Sequence, residues 1–394
     1  MLNRRILRVK AFQNLYAFDQ CKASNFNLAK DQISDAFLPD LNSMEFQDKA
    51  KLKNEAASAA SLFIQNLNSD TFVAEGDYSP KILNEAKRAI NVYHKNNKRD
   101  QEFLLKNMIS SAERVPQLYL YAIELLIAFG EHVTAESEKK RKYNVEAVTF
   151  NAGDLNLAKN SILKKIKDSA LYQNALARND VRIHEVELEI KDWFRDYVKP
   201  FEGYQAYIKL VQPSLEDDHA ILDAILKKVI FKTDAILSFF AEKDLNWTEN
   251  KSVVRSLAAK VIKNVAENPN AEGEVLPEIA INWEDDKEFF QNIFNLTVEN
   301  DEENRELIAQ KTQNWDIERI AQTDKVIMSM AITEMKNFPS IPVKVSINEY
   351  IDISKTYSTP KSKQFVNGLL DVVSKELTEK GEIRKSGRGL LDNK

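Results

Sequence analysis

The 394-residue sequence predicts an all-α protein built from helical bundles. Three observations carry that prediction. Nine Gly and ten Pro make up under 5% of the chain, where an average chain has roughly 12%. Turns, hairpins and phosphate-cradling loops draw on those residues, so their scarcity means long helices and short connections. Apolar residues recur at i, i+3 and i+4, most plainly near the two ends. Finally, 43% hydrophobic and 29% charged residues suit a folded chain, long enough for two or three compact units.

The elements follow in order. Residues 3–20 predict a helix: Leu2, Ile6, Val9 and Tyr16 share one face, while Leu7, Ala11, Leu15 and Phe18 cover another. Residues 21–80 are polar and Asn/Ser-rich and suggest irregular or short helical structure. From Lys81 to Gly130 the helical period returns, strongest over Pro116–Phe129. Lys139–Tyr143 has the composition of a charged linker, and residues 154–198 predict further helices ending near Pro200 and Gly203. The expected division is an N-terminal helical region over 1–200 and a C-terminal helical domain over 201–394.

The second half carries a repeat. Asp217-Asp218 and Asn246-Trp247 recur at an offset of 68 residues as Asp285-Asp286 and Asn314-Trp315, which suggests a duplicated helical unit. Acid pairs favour a helix start because its dipole is positive there, so these are expected as helix starts and not metal ligands. Ile317, Ile320, Ile327, Ala331 and Met335 then form a stripe containing Asp324, expected as a satisfied internal acceptor. Ser346 with Glu349 fits a capping box, and Val345 with Tyr350 its hydrophobic staple. Thr359 as N-cap and Pro360 at the first helical position predict a last helix reaching about Leu377.

Charge matters by segment. Arg4, Arg5, Arg8, Lys10 and Lys22 against Asp19 give residues 1–22 a net +4, and residues 380–394 carry +3 in a chain whose total is −5. An acidic body with basic ends is able to gather its positive charge into a patch for an anionic partner. The last helix sharpens this, because its first turn holds Lys361 and Lys363 with no acid before Asp371. With Thr359 and Ser362 nearby, that start has the chemistry of a phosphate site.

Other classes lose ground. The single cysteine, Cys21, excludes a disulfide framework and Cys-based metal clusters, and points to a reducing compartment. His94, His132, His184 and His219 lack metal-ligand spacing, and no Walker loop, dinucleotide fingerprint or nucleophile elbow occurs. The apolar run Leu118–Phe129 is about half a membrane span and contains Glu124. The expectation is a cytoplasmic protein without catalytic, metal or cofactor sites.

The ends resemble a known family. Arg4-Arg5-x-x-Arg8 followed by Ala11-Phe12-Gln13-Asn14-Leu15-Tyr16 is similar to the opening helix of the bacterial NusB antitermination factors. Closer still are Glu318-Arg319-Ile320-Ala321 with Asp324, Ala331-Ile332-Thr333-Glu334, the run Ile341 to Tyr350 (IPVKVSINEY), Lys355, and Ser362-x-x-Phe365-Val366-Asn367-Gly368-Leu369-Leu370-Asp371. The resemblance covers about residues 1–20 and 285–378. It implies a NusB-like fold with additional helices between the first helix and the C-terminal bundle. It further implies binding of a single-stranded boxA-type leader RNA with the small-subunit ribosomal protein NusE, inside a transcription elongation complex making ribosomal RNA.

Position by position, the resemblance puts RNA contacts on Arg4, Arg5, Arg8 and the turn Lys361 to Phe365, and a partner contact on Tyr16. The family usually carries a basic residue before the Phe, where this chain has Gln364, so Lys363 is the candidate for that phosphate contact. Phe365 is open to two readings, stacking on a base or packing in the core. Two further functions stay open. One is a helical adaptor without RNA function; the other, the RNA-targeting part of a methyltransferase, lacks a glycine-rich cofactor loop.

Overall fold

The computed structural model describes residues 2–44, 46–69, 71–142, 152–268, 275–312 and 320–392. Among these, every long element is an α-helix: α1 (Arg4–Ala36), α2 (Lys49–Asn66), α3 (Pro80–Glu113), α4 (Val115–Lys142), α5 (Ser161–Asp168), α6 (Ala170–Arg178), α7 (Glu187–Trp193), α8 (Glu202–Tyr207), α9 (Leu215–Ile225), α10 (Asp234–Lys243), α11 (Trp247–Glu267), α12 (Trp283–Glu299), α13 (Asp301–Lys311), α14 (Gln322–Asn337), α15 (Val343–Tyr357) and α16 (Ser362–Glu379). The all-α prediction holds.

The chain forms two compact units. One comprises Met1–Ile6 with Ser110–Lys287, the other Leu7–Ile109 with Glu288–Lys394. Residue 200 lies inside the first of them. Their boundaries fall within α1, α3 and α12, so each unit is assembled from stretches far apart in sequence.

In the first unit, α4 packs chiefly on α11. Leu118, Leu120, Ile123, Leu125, Leu126 and Phe129 are all buried, as the apolar run predicted. A window within Pro80–Lys139 is long and apolar enough to cross a membrane, but 67% of it is buried inside the protein, as in a core helix. A ring stack of Phe231, Phe240 and Trp247 anchors α11, with Phe240 and Trp247 4.6 Å apart. Trp247 thus opens α11. Its counterpart Asn314-Trp315 lies outside the described residues. Both acid pairs do start helices, α9 and α12. Asp218 is buried and accepts hydrogen bonds from Tyr207 Oη (2.5 Å), Ser161 N (2.7 Å) and Ser161 Oγ (2.6 Å), tying α5, α8 and α9 together.

In the second unit α1 runs well past residue 20. Residues 21–36 are helical, and 49–66 form α2, where irregular structure was expected. Burial there falls on Asn25, Ala29, Ile33 and Phe37, one residue per turn, so the apolar stripe is too thin to stand out in a polar segment. Ala29, Ile33 and Phe37 pack with Leu62, Phe63, Ala86, Ala89 and Tyr93 of α2 and α3. Asn25 Nδ2 donates to Asn97 Oδ1 and Asp100 Oδ2, both at 2.8 Å. The charged segment 139–142 belongs to α4, while Tyr143 lies outside the described residues.

Glu124 of α4 accepts a 2.7 Å hydrogen bond from the buried Tyr172. Burial raises its carboxyl above the ordinary range, Tyr172's hydrogen bond opposes that, and nearby Glu131 adds to it. Because the folded-state value is raised, this group's contribution is fully present below the ordinary carboxylate range. It is lost as pH rises through the elevated value. Glu124→Gln keeps an acceptor for Tyr172 and removes the titration. The variant is expected to lose less stability than the parent between acidic and neutral pH, measured by urea unfolding across that range.

Candidate nucleic-acid interface

The first helix buries one broad face through Leu7, Ala11, Leu15 and Phe18. Arg8 lies on the same side and is 3% exposed. Its Nε donates to Glu334 Oε2 (2.7 Å) and its Nη2 to Glu334 Oε1 (2.8 Å), a two-point pairing of the kind a planar guanidinium favours. Nη1 lies 3.8 Å from Glu349, and the guanidinium sits 5.2 Å from the centre of the Phe289 ring.

Glu334 is fully enclosed and takes two more hydrogen bonds, from Ser346 Oγ (2.7 Å) and Tyr350 Oη (3.0 Å). Burial works against a charged Arg8, but the hydrogen bonds and charge of Glu334 more than offset it, holding Arg8 above its ordinary value. Burial, reinforced by the charge of Glu334, pushes the Tyr350 hydroxyl well above its usual range. This corrects two expectations. Arg8 is a structural ion-pair partner with no free face for RNA. Ser346 lies inside α15, which begins at Val343, and bonds Glu334 rather than capping the helix.

The other first-helix residues differ. Arg4 is half-buried, its Nε donating to Asp286 at 3.0 Å. Arg5 is exposed, and Lys10 is buried. Tyr16 is half-buried, its ring 6.5 Å from Phe12, which in turn lies 5.5 Å from Tyr357.

The start of α16 presents the opposite pattern. Lys361, Lys363 and Gln364 are exposed, and Phe365 is half-buried. The helix begins at Ser362 with no acid in its first turn and no side-chain cap, two residues later than Thr359 and Pro360 had implied. Thr359 instead bonds the Ser362 hydroxyl at 2.8 Å, and Ser358 bridges Ser362 (3.0 Å) and Thr323 (2.8 Å). Ser362, 2% exposed, donates to Asp324 Oδ2 at 2.6 Å. Asp324 is thus an internal acceptor through one oxygen, while its Oδ1 is buried without a hydrogen-bond partner. This hydroxyl chain fixes the turn and leaves the two lysines outside it.

The ion pairs orient α1 within the second unit. Arg8 meets Glu334 near the end of α14, whereas Asp19 bonds Gln322 at its beginning. Ser362 also joins α14 at its beginning. Arg8 and the α16 start therefore lie about 15 Å apart along α14, at 1.5 Å per residue. Between α1 and α13, Asp19 pairs with Arg305 (2.8 and 2.9 Å), and Asp301 pairs with Lys22 (2.7 Å) and Arg305 (2.6 Å). Glu334 was given no role from the sequence. The available signal was an acid inside the apolar run Val326–Met335, which demands a buried partner. Among the described residues no cluster of three His, Cys, Asp or Glu fits a metal ion.

Residues 252–375 match the family model described as the NusB family. A protein of Bacillus cereus named transcription antitermination protein NusB is 36% identical over 110 residues, covering 27% of this chain and 85% of that relative. This chain belongs to the NusB family. Proteins of the same name from Salinibacter ruber and Chloroherpeton thalassium are 42% and 43% identical over 105 and 118 residues. Those matches cover 27% and 30% of this chain, and 66% and 56% of the relatives' lengths. No solved structure matches. Glu318-Arg319, part of the family resemblance, lies outside the described residues.

Two mutational outcomes follow. Arg8→Ala strands the buried Glu334 carboxylate and is expected to cost about 3–5 kcal/mol, whereas Lys363→Ala at an exposed position stays within about 0.5 kcal/mol; chemical denaturation separates them. Gly368, exposed in mid-α16, has open space where a Cβ would go. Gly368→Ala should raise the melting temperature, stabilising by about 0.5–1 kcal/mol through helix propensity.

Proposed function

We propose that this protein is a non-enzymatic, cytoplasmic transcription antitermination factor that binds single-stranded RNA. Its ligand in this reading is a boxA-type leader, bound together with the small ribosomal protein NusE in a transcription elongation complex making ribosomal RNA. Support comes from the family membership, from relatives named for transcription antitermination, and from one observation above all. The α16 start exposes Lys361 and Lys363 on a turn anchored by Ser362 and Asp324, with no acid or side-chain cap to neutralise it. Free N–H groups, the positive helix end and two lysines together suit phosphate oxygens.

In this reading Lys361 and Lys363 meet the RNA backbone, Gln364 offers an amide to a base edge, and half-buried Phe365 lends part of its ring to stacking. Arg4 and Arg5, which belong to the other unit, are separate candidates for RNA contact, and Tyr16 faces the protein partner. Arg8 is left out because its guanidinium is already engaged.

Filter binding of a labelled boxA-type RNA over a salt series tests this. Affinity should fall steeply with salt, and the paired Lys361→Ala, Lys363→Ala variant should lower the slope by about 1.4, roughly 0.7 per lost single-strand phosphate contact. Binding insensitive to salt and to these substitutions would sink the RNA reading and favour the adaptor.

A further inference from the structure

The basic segment after α16 is a folded strap. It turns at Gly381, whose φ is +72°, and buries Ile383 to 8% exposure. Ser386 N–H donates to Pro339 O at 3.0 Å, and Lys385 Nζ to Phe338 O at 2.9 Å. Gly389 is buried against the same carbonyl, where an added Cβ would stand 2.0 Å from Pro339 O. That contact is to backbone, which has no rotamer to yield. A helical turn, Gly387–Asp392, continues alongside α15. The strap is seated on the α14–α15 turn through an approach that glycine permits.

Its charge is left pointing outward. Arg384 is exposed and spends only Nε, on Gly381 O at 3.1 Å. Arg388 is exposed, and among the described residues its side chain has no hydrogen bond or ion pair. The neighbouring Glu382 pairs with Lys336 at 3.0 Å. The first turn of α15, beside the strap, contains no acid and carries the exposed Lys344. This is the end of α14 where Glu334 has drawn Arg8 inward.

We propose that the seated strap is a second RNA-contacting patch, in which Arg384 and Arg388 grip backbone phosphates of the same single strand that meets the α16 start. The inference rests on the RNA reading above and extends it to residues the family motifs do not include. A guanidinium offers paired donors in the geometry of a phosphate's oxygens. The two patches are separated by about 20 Å along α14, a span for several nucleotides and not one. Arg384 and Arg388 thus supply, at this end, the charge that Arg8 does not.

The test compares four full-length proteins binding one labelled single-stranded boxA-type RNA across a salt series, each checked for unchanged helicity by circular dichroism. Arg384→Ala with Arg388→Ala should weaken binding roughly tenfold and lower the salt slope by about 1.4. Gly389→Ala keeps every charge but unseats the strap, and should weaken binding by a similar factor. If the double arginine variant binds like the parent while the Lys361→Ala, Lys363→Ala protein is weakened, the strap proposal is overturned and the RNA reading stands. If no variant changes binding, both fail. Gly389→Ala protein that binds normally would reduce the segment to a loose polycation and overturn the seated patch. Loss of association with a protein partner, with RNA affinity intact, would likewise overturn it.

Discussion

The meeting of α1, α14 and α15 leans on the carboxylate of Glu334. Four donors converge on it, two from Arg8 in α1 and one each from Ser346 and Tyr350 in α15. An isolated buried carboxylate is prohibitively costly, and a buried ion pair alone often only breaks even. Full occupancy of both oxygens is what makes this one tolerable. Because the donors come from helices at opposite ends of the sequence, the group also dictates how α1, α14 and α15 meet. A helix slipped by one residue along this contact would leave a donor or the carboxylate unsatisfied.

The same demand sorts the basic residues by task. Arg4, Arg5 and Arg8 look alike in sequence, yet the helix period carries Arg8 inward while Arg5 is exposed. Lys361 and Lys363 flank Ser362, and the hydroxyl bond from Ser362 to Asp324 turns that one residue in and its two neighbours out. Positive charge near a functional surface therefore reports two things at once: what the surface offers a ligand and what the core needs for its acids.

Much of this was legible in advance. Scarce Gly and Pro, the apolar run of α4 and the paired acids opening α9 and α12 translate directly into helices, because each depends on local sequence. The family motifs in Ile341–Tyr350 and Phe365–Asp371 also identify themselves. Long-range pairing was not legible. Nothing adjacent to Arg8 marks Glu334 as its partner, and nothing near residue 200 shows that α1–α3 join α13–α16. Residues 21–36 were missed for the reverse reason: a helix held by one buried residue per turn leaves too faint a period. At Ser346 the expected local cap lost to Glu334 of another helix, and at Thr359 to the Ser362 hydroxyl three residues on.

The Arg8–Glu334 pair spans 326 positions of sequence, which has a temporal side. Chains lengthen at about 5–20 residues per second, so roughly 15 to 65 s pass between synthesis of the arginine and of its acid. Throughout that interval Ala29 and Ile33 of α1 have α2 and α3 to pack on, but Arg8 has no acid to meet. Helices α14 and α15, made long after α1, are then what allow Arg8 to be buried. During synthesis, Arg8 is thus a solvated charge that the finished molecule encloses.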